Sequence, residues 1–87
     1  MIILNKKNNL EVLMEQFPEE QFMIITDHDN AIIGFDVKTM VLVYSVNQIL
    51  KNLQQHMTKD EAIEFFDYNI SEAYVGEKTP LFIYDTN

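Results

Sequence analysis

The 87-residue sequence has no cysteine and no arginine, and it contains only two glycines and two prolines. The lack of cysteine excludes disulfides and thiolate metal sites. The lack of arginine removes the side chain that clamps phosphate or carboxylate groups in a bidentate manner. A hydrophobic fraction of 47% with so little glycine predicts an ordered globular chain rather than a disordered tail.

Net charge and hydropathy further limit the class of protein to which this chain can belong. The formal net charge is −8 and every basic residue is a lysine, which argues against direct nucleic-acid binding and favours a protein partner with a basic surface. The apolar run at the start ends at Leu4, and no stretch approaches the roughly 20 apolar residues that cross a bilayer. We therefore expect a cytoplasmic protein without membrane contact. Residues 1–87 form one domain, small enough to leave homo-oligomerisation open.

Apolar periodicity predicts an α+β fold. The expected elements, in chain order, are helix 9–17, strands 22–26, 31–35 and 40–44, helices 46–57 and 59–74, and strand 81–84. The polar clusters DHDN and DVKT separate the first three strands, which predicts an antiparallel meander. With the C-terminal strand this gives a small antiparallel sheet, and about three helices pack on one of its faces. Gly34 predicts a bulge or a close backbone contact, Ser45 an N-cap, and Thr58 with Glu61 a capping box.

The stretch ITDHDNAIIGFD contains the first candidate site. Asp27, His28 and Asp29 are suitable ligands for a divalent cation, so a metal-binding module or a small metal-dependent enzyme is one hypothesis. The same residue types build polar turns through side-chain bonds to their own backbone, and that interpretation is favoured. The spacing does not match an EF-hand loop. His56 is expected on a distant helix and offers no evident second ligand, so no cofactor is predicted beyond this possible metal.

Helix 59–74 contains the second candidate site. Asp60, Glu64 and Asp67 recur at i, i+4 and i+7, and Phe65 and Tyr68 lie beside the predicted core stripe. These five residues predict a partner-binding surface. The alternatives are a solvated acidic face and two aromatics that widen the core. The usual catalytic motifs are absent, so no catalytic residue is predicted.

Three segments, TDHDNAIIGFD, VYSVNQILKNL and MTKDEAIEFFDYNISEAYVGEKTPLF, resemble in that order a group of short uncharacterised bacteriophage and prophage proteins. The likeness covers residues 22–83, and YNISEAYVGEKTP is its most specific part. It carries over no catalytic or binding residue. It implies a viral gene product in a bacterial cytoplasm that binds and modulates a host or phage protein, such as a defence or nucleic-acid-handling protein. A virion accessory protein is an alternative.

Overall fold

The computed structural model describes residues 9–73 and 76–85 of the chain. Within them the chain forms, in order, α1 (Asn9–Gln16), a 3₁₀ turn (Asp29–Ala31), β1 (Ile32–Asp36), β2 (Val41–Ser45), α2 (Val46–Leu53), α3 (Lys59–Phe65), a π-helical segment (Phe66–Ser71) and β3 (Leu81–Ile83). The described part therefore contains three α-helices and a three-stranded sheet, and the predicted α+β class is confirmed.

Strands β1 and β2 form the predicted antiparallel hairpin, and their register shifts between Ile32 and Gly34, as expected for a bulge. The connecting turn is closed by the Met40 amide, which donates to the Asp36 carbonyl at 2.7 Å. The Asp36 carboxylate also accepts the Thr39 amide at 3.0 Å. Met40 completes the turn with φ of 58°, in the left-handed region that a residue with a Cβ rarely adopts. The hairpin thus contains one strained position.

The final strand corrects the predicted topology, because β3 pairs in parallel with β2 and the sheet is mixed. Two helices separate β2 from β3, and a helical crossover returns the chain in the same direction as the strand it left. The end of the chain is held beside the start of α2. There the Ser45 hydroxyl donates to the Asp85 carboxylate at 2.7 Å and accepts the Gln48 amide at 3.1 Å as the N-cap.

The predicted strand 22–26 is the second correction, since this segment is neither helical nor part of the sheet. Its residues have the composition of a strand, but the following DHDN cluster does not close a hairpin onto β1. Instead the amide of Ile25 donates to the hydroxyl of Tyr44 at 2.8 Å. Phe22 and Ile25 pack against the core, so the segment is held by side-chain contacts rather than by a backbone ladder.

The core joins α1, α2 and the π-helical segment to the central strand. Strand β2 is buried at four of its five positions, which is typical of a strand covered on both sides. The buried cluster comprises Leu10, Leu13, Ala31, Ile32, Leu42, Tyr44, Val46, Ile49 and Phe66. Phe66 and Tyr44 both contact Phe82 of β3, at ring-centroid distances of 5.4 and 6.0 Å. The π-helical segment is thereby fixed to the sheet by one buried aromatic side chain.

Candidate functional site

The polar stretch 27–30 folds into a tight turn beside α2. Asp27 has φ of 73°, a left-handed conformation that aspartate tolerates better than most residues. His28 is only 7% exposed, and its carbonyl accepts the Ala31 amide at 2.9 Å. The backbone of this stretch is that of the polar turn favoured from the sequence, and it buries a histidine at its centre.

The side-chain amide of Asn52 on α2 forms hydrogen bonds that hold this turn against the helix. Its Nδ2 donates to Nδ1 of His28 at 3.1 Å and to Oδ1 of Asn30 at 2.7 Å. Its Oδ1 accepts Nδ2 of Asn30 at 3.1 Å and Nε2 of Gln48 at 2.9 Å. Both donors and both acceptor positions of Asn52 are therefore used. No local sequence pattern indicated this role, because the turn and Asn52 are far apart along the chain.

The contact with Asn52 decides which nitrogen of His28 carries the proton. Because Asn52 donates, Nδ1 of His28 accepts, and the proton of the neutral ring is on Nε2. Burial lowers the pKa of His28 below its usual value of 6.5, and the negative charge of Asp27 opposes this shift only in part. The folded protein therefore favours a neutral imidazole at this position.

An open cleft of about 850 Å³ lies between this turn and the end of α2. Asp27, His28 and Asp29 line it, and so does His56, which the sequence had placed on a distant helix. The helix ends at Leu53 instead of continuing, and the turn that follows brings His56 to the cleft. Nevertheless, nowhere in residues 9–73 and 76–85 are three or more His, Cys, Asp or Glu side chains placed to hold a metal ion. The metal hypothesis thus lacks a ligand set there.

The second candidate site lies on α3 and the π-helical segment. Its five predicted residues are all exposed, and we call them the acidic-aromatic face: Asp60, Glu64, Phe65, Asp67 and Tyr68. Phe65 is 40% exposed and Tyr68 is 74% exposed, so these aromatics do not widen the core. A shallow groove of about 400 Å³ brings Glu64, Phe65 and Tyr68 together with Met57, Glu61 and Asn69. Asp60 and Asp67 lie outside the groove lining.

Local sequence explains how this face is built. Thr58 and Glu61 form the predicted capping box, in which Thr58 Oγ1 accepts the Glu61 amide at 3.2 Å and Glu61 accepts the Thr58 amide at 2.9 Å. Hydrogen bonding to the carboxylate, first from the Thr58 amide and second from the Thr58 hydroxyl, lowers the pKa of the Glu61 carboxyl. After Phe65 the helix changes to π geometry, a rare arrangement that is often found at functional sites. The change still leaves Phe66 buried while Tyr68 faces outward.

Within residues 9–73 and 76–85, the charge of the face is not compensated by ion pairs. In the part of the chain that the structure describes, neither Asp60, Glu64 nor Asp67 has an ion-pair partner. Lys78, by contrast, forms an ion pair with Glu20 at 3.1 Å. Aromatic rings beside uncompensated carboxylates form a surface suited to cationic and apolar groups of another molecule.

Comparison of the chain with protein-family models, curated proteins and solved structures gives no match. Among the described residues, no helix combines the length and the apolar character needed to cross a membrane. The chemistry of the two sites is therefore argued from this chain alone.

Proposed function

We propose that this chain is a non-catalytic interaction protein that binds a protein partner through the acidic-aromatic face and modulates it. The observation that carries the proposal is the pair of exposed rings, Phe65 and Tyr68, in one groove with Glu64. Large aromatic side chains lose water-exposed apolar area when a partner covers them, and they are enriched among the residues that dominate binding energy.

The charge of the face defines the complementary partner. Asp60, Glu64 and Asp67 add negative charge beside the rings, and the whole chain carries a net charge of −8. An acidic surface raises the rate of encounter with a basic one and disfavours acidic competitors. A protein whose basic groove handles nucleic acid fits this description, because a row of carboxylates can occupy the positions of phosphates.

The resemblance to bacteriophage and prophage proteins supplies the biological setting of the proposal. A partner in this setting is a host or phage protein in the bacterial cytoplasm, including a defence or nucleic-acid-handling protein, and binding would block or redirect its action.

The test is an affinity capture of the tagged protein from bacterial lysate, with the co-purifying proteins identified by mass spectrometry. The variant is Glu64→Lys with Asp67→Lys, which reverses charge on the acidic-aromatic face. The matched control is Glu72→Lys with Glu77→Lys, which changes the net charge equally at two exposed positions outside the face. All four positions are exposed, so each variant should remain folded to within about 0.5 kcal/mol of the parent.

We expect one dominant partner that binds the parent and the control but not the variant. Far-ultraviolet circular dichroism and thermal unfolding of all three proteins verify that the fold is retained. A partner that binds the variant as well as the parent would remove the acidic-aromatic face from the proposal.

A further inference from the structure

Within the described residues, the segment 22–26 leaves three backbone donors without a hydrogen bond. The amide of Ile25 donates to Tyr44, and the carbonyl of Ile25 accepts the His28 amide at 3.3 Å. The amides of Phe22, Met23 and Ile24 make no hydrogen bond in the described part of the protein. No residue of the segment has the positive φ that would prevent strand pairing. A β-prone segment with open donors is a template for an added strand.

An apolar groove of about 130 Å³ runs along this segment. Met23, Ile24 and Ile25 form one side, and the other side consists of Asn69, Ile70, Ala73, Pro80 and Phe82. Met23 is 42% exposed and Ile24 is 46% exposed, so the segment presents apolar side chains as well as backbone donors. The groove has room for one aliphatic side chain, and in strand addition such a pocket confers specificity while the main chain supplies affinity.

The charges at the two ends of the segment determine which kind of added strand is favoured there. Glu19 precedes it and Asp27 and Asp29 follow it, and all three are exposed. Nearby Glu20 is already paired with Lys78. A second copy paired antiparallel would bring its own acidic ends to these carboxylates, and like charges placed close together disfavour such a pair. A strand with an apolar centre and basic ends would instead place its cations beside these carboxylates.

We propose that residues 22–26 and the adjoining groove form a β-augmentation site for an extended peptide with an apolar centre and lysine or arginine at both ends. This site is separate from the acidic-aromatic face and does not depend on the proposed function. The two grooves share Asn69, so one partner chain can reach both.

The test uses the synthetic peptide KKTVLVTKK and residue-resolved amide hydrogen exchange of the full chain. In the free protein the amides of Phe22, Met23 and Ile24 should exchange rapidly because they have no partner. With saturating peptide the exchange of the Phe22 and Ile24 amides should slow by about tenfold or more, since one strand edge presents alternate amides and a hydrogen-bonded amide exchanges only after opening. Shifts in the resonances of Ala73 and Phe82 should accompany this protection, because both residues line the groove.

Two control peptides separate strand addition from charge attraction. The same peptide with N-methyl groups on all amides of its TVLVT centre retains its charges and side chains but presents no edge that can pair as a strand, so it should not protect the segment. The peptide EETVLVTEE should bind at least tenfold more weakly, because its ends repel the flanking carboxylates. Equal protection by either control would overturn the proposal.

Protein variants complete the test. Ile24→Lys should abolish binding of KKTVLVTKK, because it places a cation at the centre of the site. Met14→Lys is the matched control, since Met14 is a 52% exposed apolar residue on α1, and this variant should bind like the parent. Protection that develops with protein concentration alone would identify a second copy as the occupant and overturn the peptide assignment. Slow exchange of the segment 22–26 amides in the dilute free protein would show that this backbone edge is already covered. That result would also overturn the peptide assignment.

Discussion

Replacing Asn52 with aspartate should reverse the pH dependence that His28 contributes to stability. In the parent, burial lowers the folded-state pKa of His28 below its unfolded value near 6.5. As pH falls, the unfolded chain therefore binds more protons than the folded protein. The stability that His28 contributes is present above pH 6.5 and is lost as pH falls through the folded-state pKa. In Asn52→Asp a carboxylate replaces the donor that lies 3.1 Å from Nδ1. It would pair with imidazolium and raise the folded-state pKa.

The sign of the effect in the variant follows from that shift. A histidine whose folded-state pKa lies above its unfolded value contributes stability that is fully present below the unfolded pKa and is lost as pH rises through the folded-state pKa. Between about pH 5 and pH 8, where an ordinary histidine titrates, the histidine contribution should therefore rise with pH in the parent and fall with pH in Asn52→Asp.

The contribution of the Asn52 hydrogen bonds to the free energy of unfolding can be estimated from the variant Asn52→Ala. This change removes four hydrogen bonds. The amides of Asn30 and Gln48 can reach water, whereas Nδ1 of buried His28 loses its donor, which costs about 1–3 kcal/mol. We expect a loss of about 2 kcal/mol at neutral pH, which lowers Tm by roughly 8–16 °C in a domain of this size.

The assay is urea unfolding followed by circular dichroism at several pH values, for the parent and both variants. Gln55→Asp and Gln55→Ala are the matched controls, because Gln55 lines the same cleft and is exposed. Nitrogen chemical shifts of His28 report directly whether Nε2 carries the proton in the parent. A parallel pH dependence in the parent and Asn52→Asp, or a proton on Nδ1 in the parent, would refute the reasoning.

Two further predictions concern the hairpin and the cleft. Met40→Gly should be neutral or stabilise the protein by up to about 1 kcal/mol, because glycine relieves the left-handed strain of about 1–2 kcal/mol at the cost of a more flexible unfolded chain. Val37→Gly is the control in the same turn, and it should destabilise the protein because φ is not positive there. A larger loss of stability in Met40→Gly than in Val37→Gly would contradict this account. Magnesium, manganese, calcium and zinc should leave Tm unchanged, because Asp27, His28 and Asp29 do not converge as ligands. A rise that saturates with one of these ions would restore the metal hypothesis.

Much of the local structure could be predicted because its causes are local. The N-cap at Ser45 and the capping box at Thr58 and Glu61 satisfy amides within the same helical turn, so a few consecutive residues specify them. The β1–β2 hairpin likewise depends on two adjacent apolar runs and the polar turn between them. Helical spacing also placed Phe65 and Tyr68 beside the core stripe, but it left open whether they widen the core, and only their exposure in the structure answers that.

The structure of segment 22–26 could not be predicted from local sequence. Its β-branched and aromatic residues favour a strand, but a strand also needs a neighbour with free backbone groups, and propensity cannot supply one. The geometry of Asp27 and the docking of the turn on α2 through Asn52 direct the chain elsewhere. The parallel pairing of β3 was unpredictable from local pattern for a related reason, because it depends on the path of two intervening helices.

The sequence by itself determined the α+β class, the places where helices begin, the acidic charge, and the absence of cysteine and arginine chemistry. These properties reside in composition, short-range periodicity and side chains that bond to neighbouring amides. Only the assembled fold shows that Asn52 fixes the DHDN turn, that His56 reaches the cleft, and that three amides of segment 22–26 have no hydrogen bond within the described residues. Each of these depends on contacts between residues distant in the chain, and such contacts form only when the whole core is assembled.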